Sequence, residues 1–131
     1  WFNEGHAEFF GPSKYIAEGG KRMELQVNSV RLKVVQQAMQ GGKMPTIEDI
    51  LWSGAPEWSM GGERMGIYYA AGWSFVYFCW MHENGKYKKL MVETLKAARK
   101  GQVGKELIEK TFKLNLSALQ DEWYGYVRTL R

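Results

Sequence analysis

The sequence predicts a mainly α-helical domain with one short β-hairpin. Apolar residues recur at helical spacing in most segments, and Gly and Pro residues separate these segments from one another. Only residues 13–27 alternate apolar and polar positions, around the turn signal Gly19-Gly20. With 131 residues, 45% hydrophobic and 24% charged, residues 1–131 have the composition of a single globular domain, which excludes intrinsic disorder as the main description.

Capping and helix-breaking residues place the elements of the first half. Residues 1–10 read as a helix that Gly11-Pro12 ends. Asn28 or Ser29 caps a helix that runs to about residue 40, and Thr46 caps a short helix over residues 47–52. Residues 53–63 are predicted as a loop. The expected core residues of the first helix are Phe2, Phe9 and Phe10.

The second half contains the longest uncharged run of the chain, residues 66–81. A membrane-spanning helix needs about 20 such residues, and this run also contains Tyr, Ser and Gly, so we expect a buried helix that ends at Asn84-Gly85. Further helices are predicted over 86–100, 103–112 and 116–130. Asn115 caps the last of them. Its apolar stripe consists of Leu116, Leu119, Trp123, Tyr126, Val127 and Leu130.

The net charge of +4 is concentrated in the second half of the chain. A basic face binds phosphate backbones or anionic lipids in some proteins, but acidic residues interrupt this one and no nucleic-acid motif accompanies it. We therefore predict a solvated helical face, with no nucleic-acid partner and no transmembrane span. The single cysteine, Cys79, excludes an internal disulfide and a cysteine-based zinc finger.

The most informative stretch is residues 1–10, where Asn3-Glu4-Gly5 interrupts an aromatic helix. A glycine inside a helix costs about 1 kcal/mol relative to alanine. Gly5 beside Glu4 therefore suggests the close approach of a neighbouring backbone, a metal or a substrate. The alternative is an exposed glutamate that interacts favourably with the helix dipole.

This segment, of the form W-F-N-E-G-x-A-x-F-F, resembles the third zinc-ligand segment of gluzincin metallopeptidases, in particular the peptidase MA-like branch. In that family an H-E-x-x-H helix supplies two His ligands and a catalytic Glu, and the N-E-G Glu completes the set. Such a set leaves one zinc position open for water. The resemblance implies that Glu4 is a zinc ligand, with Asn3 and Glu8 as neighbours that orient it. Glu8 is equally well explained as a packed or exposed carboxylate, and His6 occupies a variable position that is not a ligand.

A second resemblance lies in Tyr69-Ala70-Ala71-Gly72, which is similar to the Y-x-x-G of aminopeptidase-type gluzincins. There the tyrosine hydroxyl donates to the oxyanion of the tetrahedral intermediate, a role that suits a neutral phenol. Tyr69 is the matching residue and Tyr68 is the alternative; both are otherwise explained as core aromatics. Trp52 and Trp58, beside or within the Gly-rich loop, are candidate walls of a substrate cleft.

The chain departs from the family in having no H-E-x-x-H, since its histidines are His6 and His82. We therefore expect a C-terminal, helical part of a larger metallopeptidase-like domain, inactive and without bound zinc by itself. The longer protein is expected to bind zinc and to act on peptides or proteins, and the resemblance favours an extracytoplasmic location. A surface exposed by truncation would favour self-association. The alternatives are a non-catalytic helical interaction module and a basic binder of nucleic acid or membrane surfaces.

Overall fold

The computed structural model describes residues 1–17, 19, 22–52, 58–59, 61–101 and 115–131. These form a mainly helical fold with one two-stranded antiparallel sheet, which confirms the predicted fold class. The elements in chain order are α1 (Phe2–Phe10), β1 (Lys14–Ile16), β2 (Arg22–Glu24), α2 (Ser29–Gln40), α3 (Ile47–Trp52), α4 (Gly62–Met81), a 3-10 turn (His82–Asn84), α5 (Lys88–Ala98) and α6 (Leu116–Thr129). In the hairpin, Tyr15 lies opposite Met23.

Helix α4 is the central element of the fold. It packs against α1, α2, α3, α5 and α6, and every residue from Ala70 to Cys79 is buried. Because neighbours cover it on all sides, its sequence shows no polar face in this stretch. Among the described residues, no helix combines the length and the hydropathy that a membrane crossing requires.

Polar caps fix the starts of the flanking helices as the sequence predicts. The Asn28 side chain accepts a hydrogen bond from the backbone N–H of Arg31 at 3.2 Å. The side chain of Asn115 accepts bonds from two N–H groups in the first turn of α6. At α3, the Thr46 hydroxyl accepts from the backbone N–H of Asp49, and the Asp49 carboxylate accepts from the backbone N–H of Thr46. These bonds satisfy donors that a helix start leaves unpaired.

Three expectations from the sequence differ from the structure. Phe10 is 47% exposed rather than in the core, because the buried face of α1 runs through Phe2, Gly5 and Phe9 and the next residue is turned about 100° away. Helix α4 begins at Gly62, so the predicted loop ends earlier. Its α-helical part ends at Met81, and the 3-10 turn follows. The predicted helix over 103–112 and loop residues 53–57 and 60 lie outside the described residues.

Candidate functional site

Helices α1 and α4 cross at two glycines, and this crossing determines the geometry of the candidate site. A Cβ added at Gly5 would lie 2.7 Å from the carbonyl oxygen of Gly72 and 2.7 Å from Cγ2 of Val76. Gly5 is therefore required because the α4 backbone approaches it closely. Of the three explanations that the sequence leaves open for this glycine, the neighbouring backbone is the one that the structure supports.

The crossing brings the predicted zinc-ligand glutamate and the predicted oxyanion tyrosine together. Glu4 precedes Gly5 on α1, and Tyr69 lies one turn before Gly72 on α4, so the crossing sets the segments that carry these two half-buried residues side by side. The pKa of Tyr69 is raised above its ordinary value, first by desolvation and then by the charge and hydrogen bond of Glu4. The phenol is therefore a neutral hydrogen-bond donor at pH 7.

Glu8 lies one turn after Glu4 on α1, but its carboxylate is held by α2. Its two oxygens accept hydrogen bonds from Arg31, Nη2 at 2.6 Å and Nε at 3.0 Å. Asn28 Nδ2 donates to the same carboxylate at 3.2 Å. Glu8 therefore anchors α2 to α1 by a bidentate, charge-assisted pair. That Glu8 orients a metal ligand remains a prediction.

Arg31 also contacts Tyr69, so the site forms one connected group. The guanidinium carbon lies 5.6 Å from the centre of the Tyr69 ring, within the range of a cation–π contact. Glu4, Glu8, Asn28, Arg31 and Tyr69 are called the Glu4–Tyr69 cluster below. Sequence reasoning missed Arg31, because a pair that joins two helices leaves no local signal in either one.

The remaining N-terminal candidates lie apart from this cluster. Asn3 is exposed in the first turn of α1. His6 Nδ1 donates to the backbone oxygen of Phe2 at 2.8 Å, and His6 Nε2 accepts from Trp80 Nε1 at 3.2 Å. Burial lowers the pKa of His6, opposed by its bond to Phe2. His6 is thus held by two protein partners as a packed, neutral imidazole.

The candidate cleft residues are packed against the fold. Trp58 is only 9% exposed, and its ring contacts those of Tyr68 and Tyr69 at 5.8 and 5.5 Å. Trp52 is half-buried at the end of α3. Tyr68 is buried and lines an open cavity of about 430 Å³ on the Pro45 side of α4. A residue that lines a substrate cleft must be exposed, and Trp58 is buried. That Trp52 and Trp58 line a cleft remains a prediction.

A second polar cluster surrounds Glu122 on α6. Its Oε1 accepts from Lys86 Nζ at 2.5 Å and lies 2.8 Å from His82 Nε2, and its Oε2 accepts from the Tyr87 hydroxyl at 2.7 Å. His82, Glu83 and Glu122 each have a side-chain atom that could bind a metal ion, and these atoms lie within 4.8 Å of one another. The ammonium group of Lys86 already supplies the positive charge at this position. The cluster therefore fastens the turn after α4 to α6.

Among the residues that the structure describes, those around Glu4 do not form a zinc site by themselves. A catalytic zinc needs three protein ligands, and both histidines of the sequence are bound elsewhere, His6 to Phe2 and Trp80 and His82 to Glu122. The nearby Glu8 carboxylate is committed to Arg31. A zinc ion at Glu4 would require ligands from a different segment.

Comparison of the chain with protein-family models, with curated proteins and with solved structures finds no match. The resemblance to gluzincins therefore rests on the motif residues of the sequence alone.

Proposed function

We propose that this chain is the C-terminal helical part of a zinc-dependent peptidase. In the longer protein, Glu4 is the third zinc ligand and Tyr69 stabilises the oxyanion. The observation that supports this proposal is the close crossing of α1 and α4 at Gly5 and Gly72, which sets the Glu4 segment beside the Tyr69 segment. A ligand and an oxyanion donor must lie near one reacting carbonyl.

The surroundings of Glu4 and Tyr69 are compatible with the roles proposed for them. Tyr69 keeps its proton at neutral pH, since the ordinary pKa of 10.0 lies well above pH 7 and burial raises the pKa of Tyr69 further; its hydroxyl is therefore a donor. Glu4 offers a carboxylate beside that hydroxyl, on a helix whose position the Gly5–Gly72 crossing fixes. Bound zinc would lower the pKa of a water molecule and polarise the scissile carbonyl. Without the two histidines of H-E-x-x-H, which the sequence lacks, we expect neither zinc binding nor peptidase activity from the chain by itself.

The first experiment is to determine the coding sequence upstream of Trp1. We expect an H-E-x-x-H helix shortly before it. A start codon there, or an upstream helix without the two histidines, would contradict the proposal and favour a non-catalytic module.

The second experiment measures zinc content and peptide hydrolysis of the longer protein. Glu4→Gln should remove most of the zinc, whereas Glu63→Gln, which breaks an exposed ion pair with Lys43, should not. Tyr69→Phe should keep the zinc and lower kcat about 10²- to 10³-fold, the usual effect of removing an oxyanion donor. Unchanged zinc in Glu4→Gln would remove Glu4 from the ligand set.

A second candidate function is a helical interaction module, favoured by the exposed face of the hairpin. Tyr15 and Met23, opposite each other in register, are 63% and 55% exposed. Large exposed apolar side chains often mark a contact with a partner. Sedimentation velocity of the chain tests self-association: a dimer that Tyr15→Ser with Met23→Ser converts to a monomer would support this candidate, and a concentration-independent monomer would contradict self-association.

A further inference from the structure

We infer that Arg31 is a positioning residue for Tyr69: anchored by Glu8, its guanidinium group packs against the Tyr69 ring and restricts its orientation. This inference rests on the proposed function for its catalytic meaning. Its structural content, the control of one side chain by another, is testable without any peptidase activity.

Arg31 is held at both ends, which makes it a suitable support. Its backbone N–H is fixed by Asn28 at the start of α2, and its guanidinium group makes two hydrogen bonds to Glu8. Asn28 also donates to Glu8. A bidentate pair leaves the planar guanidinium group little rotational freedom. Its position is therefore determined jointly by α1 and α2.

The Tyr69 ring has two neighbours outside its own helix turn, Trp58 and Arg31. The side chain is half-buried, unlike its buried neighbour Tyr68. The ring contacts Trp58 edge-on at 5.5 Å and the Arg31 guanidinium group at 5.6 Å. Guanidinium groups interact favourably with the faces of aromatic rings. Arg31 thus restricts the ring, while its positive charge stays paired with the Glu8 carboxylate.

A purely structural role for Arg31 makes a different prediction. If the Glu8–Arg31 pair served only to join α1 to α2, any ion pair at these two positions would replace it. The exchanged pair, Glu8→Arg with Arg31→Glu, restores an ion pair but removes the cation from the position beside the Tyr69 ring. The two roles are therefore separable in one double variant.

The test uses NMR of the chain with ¹³C-labelled tyrosine, with the Tyr69 signal assigned from its loss in Tyr69→Phe. Free energies of unfolding are measured on the same samples. The variants are Arg31→Met, Arg31→Lys and the exchanged pair. The matched control is Lys43→Met, which removes a cation from an ion pair to α4 through Glu63 without touching Tyr69. If Arg31→Met does not fold, the test uses Arg31→Lys. This variant keeps the positive charge but lacks the planar guanidinium group.

We expect the Tyr69 ring signal to shift and broaden in Arg31→Met and Arg31→Lys, and to remain unchanged in Lys43→Met. The exchanged pair should recover stability without recovering the Tyr69 signal. An unchanged Tyr69 signal in either folded Arg31 variant, or its recovery in the exchanged pair, would overturn the inference. In the longer protein the same variants should lower kcat with little change in KM. Shifted ring signals in a longer protein without peptidase activity would reject the proposed function and leave the positioning role intact.

Discussion

Gly5 of α1 lies against the backbone of Gly72 in α4: the Gly5 Cα is 3.8 Å from the position that a Cβ at Gly72 would take. On its other side, that same Cβ would come within 2.9 Å of the Trp58 ring. Both glycines are therefore needed for α1, α4 and Trp58 to pack together. Because Glu4 precedes Gly5 and Tyr69 lies one turn before Gly72, this crossing also sets the distance between the two candidate functional residues.

The Gly5→Ala variant should separate α1 from α4. Its new methyl group would overlap the carbonyl oxygen of Gly72 and Cγ2 of Val76. Overpacking of this kind costs about 1–3 kcal/mol, which exceeds the gain in helix propensity. The measurement is urea unfolding followed by tryptophan fluorescence. The matched control is Gly66→Ala in α4, where an added Cβ meets nothing within 4 Å and stability should rise slightly. Equal stabilities of the two variants would contradict the close crossing.

The buried bond between Trp123 and Ser74 should be a second determinant of stability. Trp123 Nε1 donates to Ser74 Oγ at 3.2 Å, and Ser74 Oγ donates to the backbone oxygen of Ala71 at 2.9 Å. Ser74→Ala leaves the buried indole N–H without its acceptor, which costs about 1–3 kcal/mol. Ser117→Ala, at an exposed position of α6, is the control and should change stability little. If thermal unfolding shows the same Tm for both variants, the bond does not contribute.

Local signals in the sequence predict most of the described elements and their caps. The sequence leaves Asn28 and Ser29 open as the cap of α2 and assigns Thr46 and Asn115 to α3 and α6. The structure selects Asn28 and confirms the other two. The assignment of Phe10 to the core is wrong, because an aromatic residue next to Phe9 carries no information on which of the two faces α4. The burial of Phe9 follows only from the direction in which α1 crosses α4.

The candidate site is predictable in part. Motifs identify Glu4 and Tyr69, and the contact between the two depends on the packing of α1 on α4. Sequence patterns do not identify Arg31 and Glu122, since each has partners on a different element. A pair of residues on two different elements produces no periodic or local pattern in the sequence. Its geometry is known only from the packing of the helices against one another.

Glu122 should make stability depend on pH in the acid range. Burial opposes its ionisation, but hydrogen bonds from Lys86, Tyr87 and His82 outweigh burial and lower its pKa below 4.5. Since the folded state favours the ionised form, the stabilisation is present above pH 4.5 and is lost as the pH falls through the lowered pKa. Glu122→Gln should therefore destabilise the chain at pH 7, and its effect should shrink as the pH falls through the lowered pKa of Glu122.

The measurement is the free energy of unfolding from about pH 7 to about pH 2, the interval over which a carboxyl titrates. Glu93→Gln is the control, because Glu93 also has a lowered pKa through Lys96 but lies on the surface, where an ion pair contributes little. A Glu122→Gln profile parallel to that of the unmodified chain would show that the cluster does not depend on the charge of Glu122.

Glu4→Gln should lower the pKa of Tyr69. Desolvation, the larger cause of the raised pKa, remains in this variant, but the charge of Glu4 is removed, so the pKa should move toward the ordinary 10.0 without reaching it. Because the folded pKa is raised, the associated stability is present below pH 10.0 and is lost as the pH rises through the folded pKa. Glu4→Gln should therefore lose less stability in alkali. Titration of the labelled Tyr69 signal measures the pKa directly, and Glu24→Gln, on the exposed strand β2, is the control. An unchanged Tyr69 pKa in Glu4→Gln would show that the two side chains do not interact and would contradict the pairing that the proposed function requires.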